Sequence, residues 1–540
     1  MKRTRRNWLL AGMSLFLVLA GAGLYITATA LTERFEPYIR EQAIDYLRKR
    51  FDSDVQLEVL RIRLPNKSRL DLLLNRGRGA RARVEGENIL LRHKGRTDIA
   101  PMFAMKKFSF EVDLGAVFDE QKIVPLVTLD GMEITIPPKG DRPSFGATRW
   151  PGERPEQTVN PTKTPVVIRE VRIRNARLTV LPRDRKKNPL EFHVHRAVLQ
   201  SVGAGLAMDY HAELTNPKPP GEIRSEGTFG PWAAEVPGDT PIAGRYDFRK
   251  ANLGVFQGIA GTLNSTGVFD GTLASINARG EASVPDFRLK KPGQRVPLKT
   301  RFEVLVDGTN GNTTLKPVRA TLGSTEFTTS GGVIKHDGDV RRTVSLDVNM
   351  PKGNLRDLLT LAMKGPLFME GKIALKTTVE VPPLSGKVRE KLVLDGKFEL
   401  SEAKFLKSTI QDQIDNLSRR GQGQPKNDGI DEVVSWMAGD FRLEDQTMMF
   451  RSLNFGVPGA AVDLAGNYDI DNDVLDFHGA LRLQARMSQT QTGWKRWALR
   501  PVDPFFAKNG AGTFLRIQVV GSAKEPKFGL DKKKEPAAAK

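Results

Sequence analysis

The sequence predicts a mostly β fold, and three observations predict it. Apolar and polar residues alternate with a period of two along most of the chain. Segments with a helical period are few. The alternating runs are bounded by Gly, Pro, Asn or Asp, as strands are. In "INARGEASV", Ile276, Ala278, Gly280, Ala282 and Val284 share one parity, while Asn277, Arg279, Glu281 and Ser283 share the other. That is a strand with one dry and one wet face. "KKFSFEVDL", "RTVSLDVNM", "KIALKTTVEV" and "VLDFHGALRLQA" repeat the pattern; in the third, Ile373, Leu375, Val379 and Val381 are dry. Extended over the chain, the pattern gives about 25 strands against about four short helices.

The chain has 540 residues, 39% hydrophobic and 27% charged, which is a globular composition with room for a core. Cysteine is absent, which excludes a disulfide framework, a thiolate metal site and a cysteine nucleophile. The net charge is +20, with basic residues on the polar parity, as at Arg172 and Arg174 or Lys372 and Lys376. Such spacing suits a solvated outer face or anionic lipid. No basic–aromatic cluster suits base stacking, so no nucleic acid is expected.

Lys2, Arg3, Arg5 and Arg6 precede a run from Trp8 through Leu31 without a charge. At about 1.5 Å per residue this run crosses a ~30 Å hydrocarbon core, and the cations before it place the N-terminus in the cytoplasm. Ala28-Thr29-Ala30 offers a cleavage site as the alternative. The run exceeds the roughly 7–15 residues of a signal-peptide core, so a retained anchor is expected. Phe35, Ile39, Ala43, Leu47 and Phe51 then recur once per turn as an amphipathic helix. Further helical patterns lie in "EAKFLKSTIQDQIDNLSRR", "DEVVSWMAG" and "WKRWALRPVDPFFAKN", the last ended by Pro501. In that segment Trp494 and Trp497, beside Lys495, Arg496 and Arg500, mark either a membrane-interface segment or a helix capping the sheet.

"LVLDGKFEL" and "VDLAGNYDI" echo one another, and Gly-x-aromatic recurs at Gly227/Phe229, Gly244/Tyr246 and Gly267/Phe269. A strand glycine marks a bend or a close neighbour, which an aromatic two residues on is placed to cover. Three stretches resemble catalytic or ligand motifs without meeting their requirements. Gly77-x-Gly79-x-x-Ala82 lacks the helix a dinucleotide fingerprint needs. Asp469, Asp471 and Asp473 lack the glycine and glutamate of a calcium loop and read as a hairpin turn. His193 and His195 share a strand face without an evident third ligand. No catalytic residue, cofactor or metal is expected.

A sheet hides its dry face by closing, by packing in sandwiches, or by curling around something apolar. The anchor sets this sheet beside a membrane, and Trp and Tyr number only six each, few for sandwich cores. The layout of basic tip, span, amphipathic helix and first strands resembles the AsmA-like family of bacterial bridge-like lipid-transfer and envelope-biogenesis proteins. So do "DLGAVFDEQKIVPLVTLDGMEITIPP", "GDFRLEDQTMMFRSLNFGVPGAAVDLAGNYDI" and the ending "FFAKNGAGTFLRIQVVGSAKEPKFGLD".

The resemblance implies an elongated, curled, taco-like β-groove with a dry interior, projecting from the inner membrane into a periplasm. Stacked at ~4.8 Å, ~25 strands would span roughly 120 Å. The expected organisation is a cytoplasmic basic tip (1–7), a transmembrane anchor (8–31), an N-terminal helix with the first sheet (32–136) and a loop (137–165). A central β-groove (166–369), an AsmA-like C-terminal β region (370–530) with a helix at 402–420, and a disordered tail (531–540) follow. The expected function is shielding of acyl chains for lipid transfer or outer-membrane biogenesis, without enzymatic activity. Membrane lipids are the partners, and envelope proteins are possible further ones. The expected lipid-contacting residues are Ile276, Ala278, Ala282, Val284, Ile373, Leu375, Val379 and Val381. The alternative is an assembly factor of closed β-sandwiches that binds other envelope proteins.

Overall fold

The computed structural model describes residues 53–531 except 64–80, 94, 96, 98–99, 114–121, 138–165, 183–187, 204, 234–235, 292, 337–338, 340, 385, 427–428, 430–431, 508–511 and 524, together with Arg40, Glu41, Ile44, Asp45, Leu47 and Arg48. The expected tip and anchor, most of loop 137–165 and nearly all of the tail lie outside these residues. Among those described, no helix is long and apolar enough to cross a membrane.

The mostly β expectation holds. The described residues form 25 strands, of which 23 belong to one sheet and two, β10 (Ile259–Ala260) and β13 (Arg288–Leu289), pair separately. The helices are few and short. The chain divides into two compact units: Met1–Asn252 with Asn264–Gly280 and Val306–Gly311, and Leu253–Leu263 with Glu281–Leu305 and Asn312–Lys540.

In the first unit, β1 (Ser53–Arg63), β2 (Arg81–His93), β3 (Phe103–Asp113) and β4 (Lys122–Ile136) pair antiparallel in chain order. β5 (Val166–Val180) then joins β4 in parallel. A parallel neighbour cannot be reached by a tight turn, which accounts for the long connection at 137–165. β6 (Leu190–Gly203), β7 (Met208–Pro217), β8 (Pro220–Phe229) and β9 (Pro241–Asn252) continue antiparallel. The dry faces of β1–β6 meet in a packed cluster with Val84, Ile89, Phe103, Phe108, Phe110 and Val127. Leu47 of the N-terminal helical stretch is fully buried in it, with Ile44 alongside; the other residues of the expected stripe, Phe35, Ile39, Ala43 and Phe51, lie outside the described residues. Each side chain buried in the cluster contributes about 1.5–3 kcal/mol of burial.

On the wet face the charges run in register across strands: Asp130, Arg174, Arg196, Glu213, Arg224 and Asp247 face one another from β4 to β9. Arg174 and Arg196 stand opposite as like charges, but each has an acid as its other neighbour, Asp130 and Glu213, and each exposed pair contributes little to stability.

In the second unit, β15 (Thr313–Leu322), β16 (Thr325–Ile334), β17 (Thr343–Asn354), β18 (Met369–Val381), β19 (Val393–Phe405), β20 (Ser435–Glu444), β21 (Thr447–Val457), β22 (Ala460–Asp469), β23 (Val474–Leu483), β24 (Thr513–Gly521) and β25 (Pro526–Leu530) form an antiparallel ladder in chain order. β17 and β19 each carry an extra residue, between Met350 and Gly353 and between Leu400 and Ala403. Each bulge immediately precedes a strand end that leads to a helix, Leu355–Ala362 after β17 and Ser408–Gly421 after β19.

Two helical expectations are corrected here. The helix expected at 402–420 starts six residues later, because Ala403 and Phe405 still belong to the dry face and pair with β20 and β18. The turn of helix expected in "DEVVSWMAG" is replaced from Ser435 onward by β20, whose pairing to β19 and β21 overrides the local apolar spacing.

Candidate functional site: the apolar face of the sheet

In the second unit the dry parity of successive strands aligns into cross-strand rows. One row joins Leu346, Val379, Leu394, Leu443, Met448, Tyr468 and Leu475 over β17–β23. The next joins Val348, Thr377, Gly396, Phe441, Phe450, Gly466, Phe477 and Val519. Register of this kind follows from hairpin connections and from the strict two-residue period.

One end of this face is covered by protein. The helix Leu355–Ala362 begins at an Asn354 cap, and its Leu355, Leu358 and Leu359 pack with Met350, Met369, Ile373, Leu400 and Ala403. Asp357 ties the helix to the β15–β16 turn by accepting hydrogen bonds from the Ser324 backbone N–H (2.9 Å), Ser324 Oγ (2.7 Å) and Thr325 Oγ1 (2.8 Å). The helix Ser408–Gly421 packs Ile414 and Leu417 against Val433, Val457, Ala460 and Leu483. Its buried Asp415 accepts from the backbone N–H groups of Val433 (2.9 Å) and Glu432 (3.1 Å) and from Gln411 Nε2 (2.9 Å). Gly421 lies against Gly459, where a Cβ would meet backbone at 2.5 Å.

The far end differs. In the row Leu346–Val379–Leu394–Leu443–Met448–Tyr468–Leu475 only Leu443 is buried; the rest are half-buried. None of them belongs to a packed cluster of described residues. The four-residue helix Val388–Lys391, between β18 and β19 on that side, buries none of its residues. Behind the row stand aromatic rings: Phe398 lies 6.2 Å from Phe441 and 6.4 Å from Phe450, and Phe450 lies 5.7 Å from Phe477.

The glycines are covered from neighbouring strands rather than by the aromatic two residues on. A Cβ on Gly439 would meet Phe398, its partner across β19–β20, at 2.9 Å. Phe108 likewise lies over its partner Gly86. In the first unit, a Cβ on Gly244 would meet the Tyr210 hydroxyl at 2.9 Å and Phe269 at 3.0 Å, and one on Gly267 would meet Tyr246 at 3.0 Å. The echo "LVLDGKFEL"/"VDLAGNYDI" has the same basis: Gly396 and Gly466 occupy one row on strands of opposite direction, so Phe398 and Tyr468 point to opposite sides of it. Tyr210 and Tyr246 share hydrogen bonds with Ser225 and Ser265, each at 3.1 Å. Burial pushes both phenols above their ordinary value, with the serine bond pulling less strongly the other way.

The expected contact residues divide accordingly. Ile276, Ala278 and Ala282 are half-buried on β12 (Ser275–Val284), whereas Val284 is buried. Ile373 is buried beneath helix Leu355–Ala362 with Leu375 packed beside it, so protein covers both. Val379 and Val381 belong to the far end and are half-buried. Val381 faces Val344 across the ladder.

The segment holding Trp494 and Trp497 is two short helices, Trp494–Leu499 and Asp503–Phe506, with a 3₁₀ turn at Arg500–Val502 between them. Pro501 sits in that turn instead of ending the segment. Trp497 is 68% exposed, and Phe505, which the sequence reading passed over, is 75% exposed. Its signal was present as an aromatic pair after Pro504, but exposure is not a local property. His195 bonds Thr215 Oγ1 at 2.8 Å, and His193 lies 3.7 Å from Glu191. Asp469 accepts from the backbone N–H groups of Asp471 and Asn472, both at 3.0 Å, in the hairpin turn expected there. No protein-family model, curated protein or solved structure matches this chain.

Proposed function

We propose that this protein shields acyl chains of membrane lipids along the apolar face of its sheet, anchored in the inner membrane by residues 8–31 with its bulk in the periplasm. The observation that carries the reading is the far-end row: apolar side chains in register over seven strands, half-buried except for Leu443, outside every packed cluster described, and continuous with a helix-covered end. Hydrocarbon removed from water against such a row gains about 0.8 kcal/mol per CH₂. Contact of that kind discriminates weakly among chains, needs no catalytic group and breaks no bond. The AsmA-like resemblance supports lipid transfer or outer-membrane biogenesis as the setting.

The test is purification of residues 32–540, which contain every described residue, followed by native mass spectrometry and lipid extraction. Stoichiometric acyl lipid is expected, and Val379→Arg or Ile276→Arg is expected to remove it while leaving the fold intact. A folded, lipid-free wild-type chain would sink the proposal.

One observation favours a second reading, a docking role in envelope assembly. All five residues of β25 are exposed, with Phe528 at 72% and Leu530 at 61%. An exposed strand of that composition is a template for strand addition by another chain. A specific envelope protein crosslinked at Phe528, from a chain that carries no lipid, would favour it.

A further inference from the structure

The segment between β23 and β24 combines three features found together nowhere else among the described residues. Trp497 and Phe505 are its most exposed large side chains. Lys495, Arg496 and Arg500 are all exposed, and none has a carboxylate partner among the described residues. The segment is also fixed at its base. Asp503 is buried and accepts from the Ser488 backbone N–H at 2.8 Å and from Ser488 Oγ at 2.7 Å. Thr490 Oγ1 donates to the Met487 carbonyl at 2.7 Å.

Each feature has a physical meaning. Elsewhere on the wet faces arginines are routinely paired, as Arg301 is with Glu281 and Arg442 with Asp395 and Glu444. Here the one acid of the segment is turned inward and occupied by hydroxyl and N–H donors, so the cations face outward uncompensated. Arg500 lies 4.1 Å over the Trp497 ring, which holds a cation and an apolar plane in one place. Large aromatics flanked by unpaired Lys and Arg are the composition of a surface that sits at the head-group level of an anionic bilayer: rings enter the acyl boundary while cations remain among the phosphates.

We infer that this segment docks the protein on an anionic lipid surface through Trp497 and Phe505, with Lys495, Arg496 and Arg500 on the head groups. The contact is distinct from any N-terminal anchor and does not depend on what the apolar face of the sheet holds.

The absence of cysteine allows one clean label. Ala507, exposed and two residues past Phe505, is replaced by Cys and labelled with an environment-sensitive fluorophore in the full chain, held in zwitterionic nanodiscs. Phosphatidylcholine vesicles with about one phosphatidylglycerol in three lipids should shift the emission to the blue, and pure phosphatidylcholine vesicles should leave it nearly unchanged. The triple variant Lys495→Glu/Arg496→Glu/Arg500→Glu should need about a hundred-fold more lipid for the same shift. Trp497→Ala/Phe505→Ala should abolish it. All these side chains are exposed, so unfolding midpoints equal to that of the parent are expected. No shift with anionic vesicles, equal shifts with both vesicle types, or a shift indifferent to either variant would overturn the inference.

Discussion

The two ends of the apolar face in the second unit are built from the same strands, yet they end differently. At one end Met350, Ile373, Leu400 and Ala403 lie beneath the helix Leu355–Ala362, and Val457, Ala460 and Leu483 pack with the helix Ser408–Gly421. At the other, Leu346, Val379, Leu394 and Leu475 continue the same parity outside those clusters. The strands are equally apolar at both ends. What differs is whether the chain, after leaving the sheet, returns as an amphipathic helix. Coverage is therefore a property of the connections, whereas the dry face is a property of the strands.

Truncation should separate the two ends most sharply. Ile373→Ala leaves a cavity beneath a helix and should cost about 2–4 kcal/mol, whereas Val379→Ala, six residues along the same strand, should cost under about 1 kcal/mol. Equal losses in denaturant unfolding would mean that the far end is packed as tightly as the near one. Asp415→Ala should be next, at about 2–3 kcal/mol, because two backbone N–H groups lose a buried charged acceptor. Its unfolding midpoint, set beside that of an exposed control such as Asp412→Ala, tests whether the covering helix is held by that carboxylate.

Gly439→Ala should cost about 1–2 kcal/mol, since a methyl there would meet both the Phe398 ring and the Ser452 carbonyl oxygen at 2.9 Å. Pairing it with Phe398→Leu should recover the part of the loss that the ring causes; no recovery would assign the whole cost to the Ser452 carbonyl of β21. The smallest effect concerns pH. Tyr210 and Tyr246 have folded-state values raised above 10.0. Their stabilising contribution is whole below the unfolded value near 10 and is lost as pH climbs through the folded one. The stability of Tyr210→Phe/Tyr246→Phe should thus fall less steeply than wild type above about pH 10.

The legible part of this molecule was the part that repeats every two residues. Alternation in "KIALKTTVEV" or "VLDFHGALRLQA" is imposed locally by the pleat, so the strands and the parity of Ile276, Ala278, Ile373 and Val379 could be read directly. What covers each residue could not. Ile373 and Val379 are indistinguishable in the sequence pattern, and only the return of helix Leu355–Ala362 makes one a core residue. The same reasoning applies to "DEVVSWMAG", whose apolar spacing suits a turn of helix until β19 and β21 supply hydrogen-bonding partners on both sides. Phe505 was missed because nothing local distinguishes an outward phenylalanine from a buried one.

The bulges on β17 and β19 carry a consequence for how this chain tolerates change. Because β19 holds one surplus residue, Leu400 and Ala403 share the dry face although they are three positions apart, and removing Glu402 would restore two-for-two pairing with Met437 and Ser435, leaving Ala403 and Phe405 on that face. A lone deletion at Glu402 should therefore be absorbed, whereas one in the regular run Val393–Leu400 would carry the residues beyond it to the other face, so the bulges and the hairpin tips are where this architecture tolerates a change of length.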